Sequence, residues 1–200
     1  MKKYNLLIFL FFIGLGASVI NPHDYFTWLL EVLPAIIGFI ILSVTFKKFR
    51  FTYLTYVFIL IHCYILFIGG HYTYAEVPLF NWIRDVLHQS RNNYDKVGHF
   101  MQGFVPAMIT RELFIRRNVF NKTKWIPFLT IAVCVCISAF YEFLEWFTAI
   151  ASGESAEAFL GTQGYIWDNQ SDMLYATIGA VCMIVLFSKL QDRKIKRIEG

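Results

Sequence analysis

An all-α, polytopic membrane-spanning helical bundle is the architecture the sequence predicts, on three observations. The 200 residues are 57% hydrophobic and only 16% charged, and the mean hydropathy is +0.51. A soluble domain of this size needs more charge to cover its surface. Long apolar runs, which hold most of the 21 Phe residues, recur along the chain. Short polar breaks separate them, as expected of antiparallel neighbours in a bundle. One integral membrane domain over residues 1–200 follows, with the lipid bilayer as its main partner and no separate soluble module.

Six spans are expected, at about 5–20, 29–46, 51–69, 95–115, 126–150 and 169–188. Each is near the ~20 residues that cross the hydrocarbon layer. The first also resembles a signal peptide, with "MKK", an apolar core and "GLGAS". Val19 and Ile20 continue the apolar run past those small residues, so an uncleaved first span is expected. The second contains Pro34 and Gly38, which span helices tolerate where neighbours satisfy the freed backbone. Cys63, Cys134, Cys136 and Cys182 all fall inside spans, where they read as small apolar residues rather than as a disulfide or metal set.

Basic residues set the expected orientation. With both termini cytoplasmic, all of the 18 Lys and Arg except Arg84, Arg91 and Lys96 fall on the inner side. The net charge of +4 is then topological, and nucleic acid is not an expected partner. Trp28, Trp82, Trp125, Trp146 and Trp167 lie near span ends, as an aromatic belt requires. In the longest outer loop, Leu79, Trp82, Ile83, Val86 and Leu87 follow helical spacing and predict a short interfacial helix.

Acidic residues are biased to the outer side, which the orientation rule does not explain. Asp24, Glu31, Glu76, Asp85, Asp95, Glu154, Glu157, Asp168 and Asp172 lie at or beyond outer span ends. Helical spacing sorts the deeper polar residues into stripes. Asp95, His99, Gln102 and Pro106 share one face of the fourth span; Ser138, Glu142 and Glu145 share one of the fifth. Asp168, Asp172, Tyr175 and Gly179 share one of the sixth. Glu142 lies about 12 Å below its helix end, and His99 and Asp172 about 6 Å below theirs, at ~1.5 Å per residue. Ionised groups at that depth are costly in lipid, so the stripes are expected to converge on an outward-facing polar pocket. Lys96 and Phe100 fall off the stripe, and Lys96 reads as an interfacial anchor.

"NNYDKVGHFMQGFVPAMITRE", "SAFYEFLEW" and "FLGTQGYIWDNQSDMLYATIGA" resemble the characteristic segments of the YjdF-like inner-membrane proteins of bacteria, whose function is unknown. "GGHYTYAEVPL" and "PHDYFTWLLEVLP" fit the same family, and the likeness covers nearly the whole chain. It implies a multi-pass protein of the bacterial cytoplasmic (inner) membrane. A weaker likeness is to the VanZ-like proteins, linked to glycopeptide resistance. Asp95, Lys96, His99 and Phe100 match that opening, and Glu142, Glu145, Asp172 and Gly179 its later elements. Ala176 stands where that pattern expects Asn.

The candidate catalytic residues are Asp95, His99, Glu142, Glu145 and Asp172. His99, Glu142, Glu145, Asp168 and Asp172 offer the imidazole and carboxylates that hold Zn²⁺, Mn²⁺ or Mg²⁺, which activates water. Without metal, His99 beside Asp95 or a glutamate is a general base. Gln102, His71, Glu76, Gln163, Asp168 and Gln170 are the candidate substrate contacts. The substrate expected is a lipid or lipid-linked cell-envelope precursor entering between helices. Three alternatives stand beside the enzyme. An ion or small-molecule binding or transport protein would use the same groups, although the inner halves of the spans are almost without polar residues and no inverted repeat appears. A scaffold would dock a partner on the "YAEVPLFNWI" loop. Polar groups that merely join helices are the third.

Overall fold

The computed structural model describes residues 2–121, 124–152 and 162–199. Among them, α1 (Lys2–Ser18), α2 (Tyr25–Thr45), α3 (Tyr53–Tyr72), α4 (Pro78–Val86), α5 (Tyr94–Arg116) and α6 (Ile126–Ser152) are followed by α7 (Asp168–Cys182). A π-helical turn (Met183–Phe187) then leads into α8 (Ser188–Glu199), so residues 168–198 form one continuous rod. Glu154, Glu157 and Lys122, used above for charge bias and orientation, lie outside the described residues.

Among the described residues, four helices are long and apolar enough to cross a bilayer: α2, α3, α6 and the Asp168–Ile198 rod. The two other expected spans fall short for different reasons. Helix α1 has 17 residues, and α5 carries Asp95, Lys96, Arg111, Glu112 and Arg116 within its length. The position of α5 explains its polarity. It packs against α3, α6 and α7, and twelve of its residues are buried, the largest such set in any helix described. The other helices turn Phe9, Phe12, Ile40, Val44, Phe140, Phe147 and Leu174 outward. Apolar exteriors around a polar central helix suit a lipid solvent.

Two apolar cores flank α3. Phe11, Val32, Ala35, Cys63 and Phe67 join α1 and α2 to it. Met101, Phe104, Met108, Cys134, Ala180 and Met183 join α5 to α6, α7 and the π turn. At the crossing of α5 and α7 the backbones nearly touch, since a Cβ on Gly103 would sit 1.7 Å from the Ala176 carbonyl oxygen. One on Gly179 would sit 1.9 Å from that of Phe100. Small residues are the usual means of bringing membrane helices this close. Ala176 is fully buried there, where the VanZ-like pattern expects the larger Asn.

Side chains pin the end of α5 that is remote from His99. Glu112, with 0% exposure, accepts from Thr52 N at 2.7 Å, Thr55 Oγ1 at 2.6 Å and Arg116 Nη1 at 2.9 Å, which closes the start of α3. Arg111 Nη1 donates to Gln191 Oε1 at 2.9 Å and pairs with Asp192 Oδ1 at 2.7 Å. Gln191 Nε2 donates to the Met108 carbonyl at 2.7 Å, which fixes α8 on α5.

A short helix is present in this loop as α4, with Leu79, Trp82 and Val86 exposed along it. Asp24 caps α2, accepting from Thr27 N at 2.6 Å. The backbone and hydroxyl of Thr27 hold the Asp24 carboxyl below its ordinary value. A lowered pKa stabilises the fold above the unfolded-state value, and that part is lost as pH falls through the folded value. Melting curves taken across the acid range should therefore show a stability loss that Asp24→Asn, itself a good cap, reduces. An identical acid profile in the variant would exclude the cap as its source.

Candidate functional site

The close crossing of α5 and α7 sets the first turns of both helices side by side. Asp95 and Lys96 open α5, and Asp168 and Asp172 open α7. Lys96 Nζ lies 2.7 Å from Asp168 Oδ1, 2.6 Å from Asp172 Oδ1 and 3.2 Å from Asp95 Oδ2. Arg91, just before α5, bonds Asp95 Oδ2 at 2.5 Å and Asp168 Oδ1 at 2.6 Å. All five side chains are at most 10% exposed, and the Tyr165 ring lies over both cations, 5.6 Å from Arg91 and 6.0 Å from Lys96.

Lys96 is therefore not the interfacial anchor expected from its position off the stripe. Its long stem folds back toward α7, and three carboxylates hold its ammonium. Helical spacing gives the direction of a Cα–Cβ bond, and the reach of four methylenes overrides it.

One turn deeper, His99 Nδ1 lies 3.0 Å from Gln102 Oε1. An amide oxygen only accepts, so Nδ1 carries a proton, and Nε2 points the other way. There it meets Asp172 Oδ1 at 3.5 Å. Ligand atoms of His99, Glu142 and Asp172 all lie within 4.8 Å of one another. Glu142 is 5% exposed. Among the described residues its oxygens have no hydrogen-bond partner except the Glu145 carboxyl, which bonds it only when one of the two holds a proton.

Charge balance follows from these contacts. Asp95, Asp168 and Asp172 face Arg91 and Lys96, which leaves one negative charge, and Glu142 ionised adds a second. An imidazole nitrogen beside two carboxylates fits a divalent cation by donor type. Asp95, Asp168 and Asp172 also come within 4.8 Å of one another, but there Lys96 already supplies the cation.

On its other side His99 borders a cavity of about 210 Å³, lined also by Glu31, His62, Tyr74, Gln102 and Glu145. Tyr74 is wedged between α3 and α5, its ring against Gly69 and Gly98, where any Cβ would collide with it. Glu31, expected among the outer-end acids, stands in this wall, and His62 and Tyr141 line it from outside the three stripes. The available signal was an ionisable residue within an apolar run, such as His62 in "FILIHCYILF".

The other candidate contacts disperse. His71 Nδ1 donates to the Ser18 carbonyl at 3.0 Å. Glu76 is exposed and accepts from Asn81. Gln163 exchanges two hydrogen bonds with the Asn92 backbone, at 2.9 and 2.8 Å, and tethers the segment before α5. Gln170 is exposed, and Tyr175 is 40% exposed, away from the cluster. Asp95, His99, Gln102, Glu142, Asp168 and Asp172 gather at one end of the α5–α6–α7 group, with Glu145 on the cavity side.

A bundle of apolar helices packed on a polar one, with an ionic cluster buried at one end, defines a multi-pass membrane protein. Residues 4–193 match the family described as "Predicted membrane protein (DUF2238)", and the chain belongs to that family. It is 44% identical over 178 residues to the "Inner membrane protein YjdF" of Escherichia coli (strain K12), covering 89% of this chain and 85% of that one. The chain is thus a multi-pass protein of the bacterial inner membrane. No solved structure matches it.

Proposed function

We propose that His99, Glu142 and Asp172 hold a divalent cation and that the site acts on a lipid or lipid-linked cell-envelope substrate. In this reading α1 and α5 also span, giving six spans with both termini cytoplasmic, and the site opens outward. The basic residues favour this orientation, and the packing of α5 within a ring of apolar helices supports counting it as a span.

One observation carries the proposal: Nε2 of His99, with Nδ1 held by Gln102, faces the Asp172 and Glu142 carboxylates. Two carboxylates and an imidazole nitrogen converging in a buried space offer a cation its ligands. The imidazole held through its other nitrogen is the usual outer-shell arrangement of a metal-bound His. A bound cation would polarise a carbonyl or phosphoryl oxygen and lower the pKa of its water. Asp168, Arg91 and Lys96 position Asp172, and Glu145, beside Glu142 and the cavity, is placed to move a proton. The next cavity toward the opposite end is lined mainly by apolar side chains, which favours an amphiphile over an ion-conducting path.

Protein purified without chelator should carry about one divalent metal per chain by mass spectrometry. Glu142→Gln and Asp172→Asn should each lower that content, while Gln170→Ala should leave it unchanged. A metal-free wild type that stays metal-free when Zn²⁺ and Mn²⁺ are supplied would overturn the cation assignment. Accumulation of an envelope precursor in a deletion strain would support the substrate class.

A further inference from the structure

The chamber beside His99 continues into a second, larger cavity. The two share Pro34, His62, Leu66 and Pro106 as walls. The second, about 750 Å³, is a groove over α3 with Gly38 and Phe39 of α2 on one side and Val105 and Ile109 of α5 on the other. It reaches Tyr4, Phe46 and Phe51 at the far end of the bundle. Its size lies within the range of ligand pockets.

The junction is polar on an apolar path. His62 borders both cavities, ten residues or about 15 Å from the end of α3, and its ring has no hydrogen-bond partner among the described residues. Pro34 and Pro106 stand at the same level, and each removes a backbone bond to the carbonyl four residues earlier. Above the junction, the chamber is lined by Glu31 and Glu145 and, among the described residues, by no Lys or Arg. Arg91 and Lys96 are enclosed by Asp95, Asp168 and Asp172 outside it. A phosphate head would meet these carboxyls with no Lys or Arg beside them, whereas an ammonium would find both as partners.

We propose that chamber and groove together bind a membrane amphiphile with an amine head, its ammonium between Glu31 and Glu145 and its apolar chain along α3 past His62. The proposal rests on the helices lying in a bilayer, as read above, and not on the cation at His99. Charge complementarity selects the head, and the apolar groove excludes a second polar group along the chain.

The test uses the full chain in phosphatidylcholine nanodiscs with hexadecylamine bearing a mid-chain diazirine. Irradiation should label peptides of α2, α3 and α5 that line the groove. Glu145→Gln and Glu31→Gln should each weaken labelling about tenfold, the scale of a lost charge-assisted hydrogen bond. Hexadecyl phosphate with the same diazirine should label the groove far less. Gly38→Phe should abolish labelling, because Gly38 lines the groove and a Cβ there meets nothing within 4 Å. Gly38→Val is the smaller alternative, and both are checked for an unchanged melting temperature. Equal labelling by the phosphate, or wild-type labelling in both folded Gly38 variants, would overturn the proposal. Since labelling needs neither turnover nor bound metal, a metal-free protein that labels as expected would sink only the reading at His99.

Discussion

Gly103→Ala is expected to cost roughly 3 kcal/mol or more, at the upper end of overpacking penalties. The added methyl would lie 1.7 Å from the Ala176 carbonyl oxygen and 2.5 Å from its carbon. Both are backbone atoms of a packed helix, so no rotamer change relieves the contact, and α5 and α7 must part. The ionic cluster depends on that approach, because Lys96 and His99 reach α7 from the same face region of α5. Site and fold should therefore fail together, read as a lower melting temperature and a loss of bound metal. Gly16 is the internal control. A Cβ there meets nothing within 4 Å, so Gly16→Ala should be neutral or slightly stabilising by helix propensity. A Gly103→Ala protein that melts with wild type would show that the helices do not pack this closely.

Lys96→Met carries the second large effect. Deleting one partner of a buried ion pair typically costs about 3–5 kcal/mol, because the other charge stays behind. Here Asp168 keeps Arg91, while Asp172 is left with His99 alone. The loss should be large in Lys96→Met and partly recovered in Lys96→Met/Asp172→Asn, which removes the orphaned charge. A lysine that merely anchors at an interface would show neither the loss nor the recovery. Thermal melting of the four proteins in one detergent separates the cases. Additive effects of the two substitutions would sink the assignment of Lys96 to Asp172.

Some of this was legible in the sequence for clear reasons. Helices α2, α3, α6 and the final rod announce themselves by apolar length, and α4 by the spacing of Leu79, Trp82 and Val86. The convergence of His99, Glu142 and Asp172 was accessible because helical spacing fixes a face and residue counting fixes a depth. Reach was not accessible. Lys96 leaves α5 off the stripe and returns to it, and Arg91 enters from outside the helix altogether. The chamber was not legible because two of its walls come from α2 and α3, where Glu31 and His62 are single ionisable residues without a stripe to mark them. Which helix faces which is a tertiary fact, decided here by Gly103 and Gly179.

The π-helical turn in the last rod settles a question of phase. Nineteen residues separate Asp172 from Gln191, and in an unbroken α-helix that spacing would rotate one about 100° from the other. A π turn takes up one extra residue without advancing the winding, which cancels about that angle. Asp172 at one end and Gln191 at the other thus point at the same partner, α5. The single rod works like a key cut with two bits on one edge, engaging the central helix at Lys96 and again at Met108 and Arg111.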